Sequence, residues 1–129
     1  MIVVDAGVLI AHLDARDTHH QKAEALLEAA AATPLGANTI TIAEVLVGPA
    51  RARRLEEASA ALTRLGLREV GLGEGAAPRL ATMRAQTGLK LPDCCVLLAA
   101  EDEEAQGVAS FDDRLAAVVA PMGLRLYGG

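Results

Sequence analysis

Short apolar runs alternate along this chain with longer segments of helical periodicity. That alternation narrows the fold more than any single residue does. Met1–Val4 opens the chain; further runs lie in "TPLGANTI" and at Leu67–Val70, Gly107–Ser110 and Leu124–Tyr127. Each is too short for a helix and reads as a buried strand. Between them, Gly7–Asp14 is helical, and "ARDTHHQKAEALLEAAAA" is an amphipathic helix with Asp17 as N-cap and His19 and His20 in its first turn. Thr41–Gly48 is a short helix, and Arg51–Leu65 a longer one closed by Gly66. Arg79–Thr87 stops at Gly88, and Pro92–Glu104 and Asp112–Ala120 complete the set. Strands alternating with helices predict an α/β fold with helices on both faces of a parallel sheet of four to five strands, joined by right-handed crossovers.

At 129 residues the chain is the size of one domain. Its composition is 52% hydrophobic but mostly aliphatic, with one Phe, one Tyr and no Trp. RNA-binding sheets that stack bases need several aromatics, so that class is disfavoured. The longest apolar stretches, such as Val96–Ala100, fall far short of a membrane span. No basic region precedes an apolar one at the N-terminus, so no signal peptide is read and a cytoplasmic protein is expected. The adjacent Cys94 and Cys95 form no zinc pattern and are expected to be reduced, partly buried thiols. A net charge of −5 argues against a generic nucleic-acid binder. A metal enzyme escapes that argument, because two divalent ions would bring −5 to about −1.

Four carboxylates stand where local structure alone explains each of them. Asp5 follows the first strand and caps the next helix. Thr41-x-x-Glu44 has the form of a capping box, and so does Ser110-x-x-Asp113, with Asp112 as first-turn charge. Asp93 follows Pro92 at a helix start, where the helix dipole favours an anion. Together they say more. In an open parallel sheet ligands bind beyond the carboxyl ends of the strands, where strand order reverses. With the order 3-2-1-4-5, that point lies between the first and fourth strands. Asp5 and Asp112 follow those two strands, and Glu44 and Asp93 begin helices expected to flank the same crevice. Four acids in one cleft repel one another and call for cations. Oxygen-only sites suit Mg²⁺ or Mn²⁺, and such an ion assists phosphodiester hydrolysis by a metal-activated water.

The segments "MIVVDAGVLIAHLD", "RDTHHQKA", "TITIAEVLVG", "LPDCCVLLAAE" and "ASFDDRL" together resemble a PIN-domain ribonuclease, in particular the VapC toxins of type II toxin–antitoxin modules. The resemblance spans nearly the whole chain. It implies a PIN-like three-layer α/β/α sandwich and Mg²⁺- or Mn²⁺-dependent endonucleolytic cleavage of RNA. Asp5, Glu44, Asp93 and Asp112 match the family's four acids, with Asp113 as an alternative to Asp112. It also implies a homodimer and a cognate VapB-type antitoxin whose tail blocks the site. One departure stands out: the family often carries a hydroxyl residue two places after the first acid, and here that place is Gly7. Any hydrogen bond that hydroxyl would make must come from elsewhere. Ser110 stands where relatives often carry Thr.

Among the basic residues, Arg16 and Arg114 fall near the expected cleft mouth and read as substrate contacts. Arg51, with Arg53 and Arg54, reads either as phosphate contact or as a solvated face pairing with Glu56 and Glu57. His12, His19 and His20 read as helix-end or surface residues rather than proton shuttles. "GLGEG" lacks the spacing of a dinucleotide fingerprint and reads as a loop. With Gly7 in place of a second acid there is no D-x-D, which disfavours aspartate-nucleophile phosphatases. The competing function is a catalytically inactive PIN-like module that binds RNA or protein; loss of an acid would favour it, and all four are present.

Overall fold

The computed structural model describes residues 1–129. Its elements run β1 (Ile2–Val4), α1 (Ala6–Leu13), α2 (His20–Ala29), β2 (Leu35–Asn38), α3 (Thr39–Arg51), α4 (Leu55–Arg64), β3 (Leu67–Val70), α5 (Ala76–Thr87), α6 (Leu91–Asp102), β4 (Gly107–Ala109), α7 (Asp113–Val119) and β5 (Arg125–Tyr127), with a 3₁₀ turn at Ala120–Met122. The five strands are all parallel and ordered β3-β2-β1-β4-β5, as expected. The switch point therefore falls between β1 and β4.

The central strands are buried on both faces, which is why they read as unbroken apolar runs. In β1, Ile2 and Val4 join one core, with α1, α2, α3 and α4, while Val3 joins the other, with α6 and α7. The period-2 alternation thus divides one apolar strand between two helical layers, giving the three-layer α/β/α sandwich. The innermost helix is α6, where every residue from Cys94 to Ala100 is buried. Both cysteines are free and buried, and burial raises both thiol pKa values, so neither is an activated nucleophile. No helix is long and apolar enough to cross a membrane.

Four helices, α3, α4, α2 and α5, depart from the sequence expectation. In the first, α3 runs from Thr39 to Arg51 rather than Thr41 to Gly48, starting straight from β2 and continuing through Pro49. Proline lacks the N–H of the helical ladder, but the turn still closes when Ala52 N–H bonds to Gly48 O at 3.1 Å. Arg51 consequently ends α3 instead of opening α4, which begins at Leu55 after a turn that holds Arg53 at φ 58°. Next, α2 begins at His20, because Asp17 caps the turn before it, its carboxylate accepting the His19 N–H at 2.8 Å. Finally, α5 begins at Ala76, three residues before Arg79, since Pro78 in the first turn needs no donor.

Candidate active site

Asp5 leaves the end of β1 buried, with 6% exposure, and is indeed the N-cap of α1: its Oδ1 accepts the Val8 N–H at 3.0 Å. Its second oxygen accepts the Ser110 hydroxyl at 2.5 Å. The parallel register pairs Val4 with Ala109, so the next residue on each strand, Asp5 and Ser110, emerge side by side. Ser110 is itself held, its Oγ accepting the Asp112 N–H at 3.0 Å. Asp112 then caps α7, its Oδ1 accepting the Arg114 and Leu115 N–H groups at 2.8 and 3.1 Å. One continuous chain of hydrogen bonds runs from the end of β4 into the Asp5 carboxylate. This replaces the expected Ser110–Asp113 capping box: Asp112 is the cap, and Ser110 turns toward Asp5.

Asp5 thus takes a hydroxyl donor from the other strand, Ser110, although Gly7 offers none. Space is not the reason for the glycine, since a Cβ there would stand 3.6 Å from Asp5 Oδ1, an ordinary contact.

The helix-borne acids arrive differently. Asp93 is the third residue of α6, half-buried beside Lys90 and Arg114. Glu44 does not begin a helix. It sits in mid-α3, exposed, with no hydrogen bond or ion pair holding its carboxylate. The Thr41–Glu44 capping box is absent, because the cap of α3 is Asn38, whose Oδ1 accepts the Ile40 N–H at 2.8 Å. Thr41 is instead buried, with 1% exposure.

All four acids line one cavity of about 310 Å³, together with Gly7 and Thr41. Burial raises the Asp5 pKa above the ordinary aspartate value; the Ser110 and Val8 hydrogen bonds oppose the shift, and the charges of Asp112 and Asp93 add to it. The Asp93 pKa is also raised, by burial first and then by Asp112, with Lys90 and Arg114 opposing. The site therefore holds negative charge under strain. Its donors are oxygen only, with neither His nor Cys, which suits a hard divalent cation rather than zinc. As they stand, no three His, Cys, Asp or Glu side chains are grouped closely enough to hold an ion.

Two further cavities adjoin this one. Asp93 and Asp112 are shared with a space of about 410 Å³ that Asp113, Lys90 and Arg114 also line. Asp113 therefore faces the neighbouring cavity and not the one that collects the four acids. Glu44 is shared with a groove of about 590 Å³ along α1, α3 and α4, which takes Arg16, Arg54 and Arg64. Arg51 lines none of the three. Arg54 pairs with Glu57 at 2.9 Å, the solvated-face arrangement. The histidines stand outside the cavity: His12 pairs with Glu24, His20 Nδ1 bonds to Ala11 O at 2.7 Å, and His19 stacks on Phe111. Sequence reasoning missed Thr41 in the cavity and Lys90 in the one adjoining it; adjacency to Glu44 and Asp93 was the only available signal.

A family model described as "PIN domain" matches residues 2–120. No curated protein matches the chain. Among solved structures, a toxin–antitoxin complex from Klebsiella pneumoniae is similar with a TM-score of 0.72 at 24% identity, covering 87% of each chain. VapC20 of Mycobacterium tuberculosis, described as a sarcin-ricin loop cleaving toxin, has a TM-score of 0.76 at 18% identity over 92% of this chain and 95% of that one. VapBC2 from Rickettsia felis, bound to a DNA fragment from its promoter, has a TM-score of 0.70 at 16% identity over 98% and 97%. At these identities the likeness to the solved structures is one of fold.

Proposed function

The chain belongs to the PIN-domain family, and from that premise we propose that it is the toxin of a type II toxin–antitoxin module, a Mg²⁺- or Mn²⁺-dependent endoribonuclease. The observation that carries the proposal is the meeting of Asp5, Glu44, Asp93 and Asp112, from four separate elements, around one cavity. Carboxylates kept together at a cost in charge repulsion are retained for what they bind. The toxin–antitoxin and toxin descriptions of the similar structures support the toxin role.

In this reading Asp5, Asp93 and Asp112 hold the ion, directly or through water, and Glu44 completes the site. The chemistry such an ion supplies is polarisation of the phosphodiester and activation of the attacking water. The protein's part is positional: Ser110 and the Val8 N–H fix the Asp5 carboxylate, and the N–H groups of α7 fix Asp112. Arg114 and Lys90 on one side of the acids, and Arg16 on the other, meet RNA phosphates. Arg51 lies farther along α3 as an outer contact. The partners are RNA, a VapB-type antitoxin and a second copy of the chain, and the setting is cytoplasmic.

Induced expression of wild type and of Asp5→Asn, followed by sequencing of cleaved RNA ends, tests this. New 5′ ends and growth arrest are expected from wild type only, with cleavage in vitro abolished by EDTA. A wild type that yields neither would leave the inactive binding module as the reading.

A further inference from the structure

Only two buried side-chain polar atoms in the molecule lack a hydrogen-bond partner: Asn38 Nδ2 and Thr41 Oγ1. An unpaired buried polar group is costly and calls for a reason. For Asn38 the reason is local, since the amide is the unused end of a side chain whose oxygen caps α3. Thr41 has no such role.

The other helical threonines make the contrast plain. Thr63, Thr82 and Thr87 each give the hydroxyl to the carbonyl one turn earlier, Ser59, Pro78 and Met83 respectively, and Thr39 gives its own to Glu69. The residue one turn before Thr41 is Ala37, which lies in β2 and not in the helix. Thr41 is thus set too near the start of α3 to satisfy itself, and it lines the cavity of the four acids. Glu44 follows three residues later on the same face of the helix, lines the same cavity, and is the exposed acid with nothing holding it.

We propose that Thr41 is a positioning residue for Glu44: its hydroxyl donates to the Glu44 carboxylate when that side chain turns inward over the other acids and closes the site. This rests on the reading of the cavity as a divalent-metal nuclease centre and adds to it how the fourth acid is held.

The test compares Thr41→Val, which keeps the shape and removes the hydroxyl, with Thr41→Ser, which keeps it. Three quantities are read: the Tm without metal, the rise in Tm on adding Mn²⁺, and kcat and KM on a cleaved RNA. Thr41→Val is expected to leave the metal-free Tm at or above that of wild type, because the lost group had no partner. The Mn²⁺-induced rise should shrink and kcat fall about tenfold or more, as loss of a hydrogen bond to a charged group would give, with KM little changed. Thr41→Ser should restore both. In a double-mutant cycle read on the Mn²⁺-induced rise, adding Thr41→Val to Glu44→Gln should remove nothing further.

A Thr41→Val protein with lowered metal-free Tm and an unchanged Mn²⁺ response would show that the hydroxyl serves the fold, and would overturn the proposal. So would wild-type behaviour of Thr41→Val, or additivity with Glu44→Gln. A wild type that neither responds to Mn²⁺ nor cleaves RNA would instead overturn the nuclease reading itself.

Discussion

The two acids at strand ends and the two on helices are built to different standards. Asp5 is bound at both oxygens, and Asp112 takes two N–H groups at the head of α7. Glu44 and Asp93 have no hydrogen bond at all to their carboxylates. The difference follows from where each side chain starts. Beyond β1 and β4 the chain turns directly into helices, so short aspartates there meet unpaired N–H groups and each other's strand ends. Glu44 lies in mid-α3, where the N–H groups serve the helix itself, and Asp93, in the first turn of α6, accepts none of the N–H groups there. The site thus has a rigid half and an adjustable half. In the proposed reading the rigid half sets position, and the adjustable half leaves room for an ion and a substrate to enter.

Breaking the rigid half should have the largest effect. Ser110→Ala strips a buried carboxylate of its donor and is expected to cost roughly 1.5–3 kcal/mol at pH 7, measured by urea unfolding of the metal-free protein. The pH dependence fixes the cause. The folded-state pKa of Asp5 is already raised, so between its ordinary 3.8 and the folded value the native state binds more protons than the unfolded one. Stability of the metal-free protein therefore falls as pH rises through that window. Losing the Ser110 bond raises the folded pKa further, so the deficit of the variant should be full above its own folded value and shrink as pH falls toward the wild-type one. A deficit independent of pH would point to lost packing instead.

Separating the capping role of Asp112 from its site role should give a smaller effect on stability. Asp112→Ala removes the cap of α7 and should cost about 1 kcal/mol, while Asp112→Asn keeps it and should cost little. Both should lose RNA cleavage, and Asp113→Ala should lose neither cleavage nor more than about 0.5 kcal/mol. Cleavage retained by Asp112→Asn would move the fourth acid to Asp113. Smallest of all, Gly7→Ser should fold normally and gain a few tenths of a kcal/mol from helix propensity, read as a small upward shift in Tm. Its cleavage rate should change by less than about threefold, since Ser110 already serves Asp5. A large gain in rate would mean that the Ser110 bond is a poor substitute for a hydroxyl on α1.

Much of this was legible in the residues because the signals are local. Asp5 reads both as a helix cap and as a candidate site acid, and in the structure it caps α1 and lines the cavity shared by the four acids. The strands were found because an apolar run of four residues has few other uses. The errors fell where two local rules compete. Gly48–Pro49 reads as a helix end, yet α3 passes through it. Thr41-x-x-Glu44 has the letters of a capping box, but Asn38 reaches the N–H groups first because the helix starts right at the end of β2.

What the sequence by itself determined is the kind of molecule: a parallel sheet with helices on both faces, and acids placed after strands that converge at its switch point. Periodicity and chain order suffice for that, since both act over a few residues at a time. Only the tertiary structure decided which hydroxyl serves which acid. Ser110 reaches Asp5 across 105 residues of chain because β1 and β4 are neighbours in register. Thr41 is left without a partner because burial, and not its position in a motif, determines what a hydroxyl finds around it.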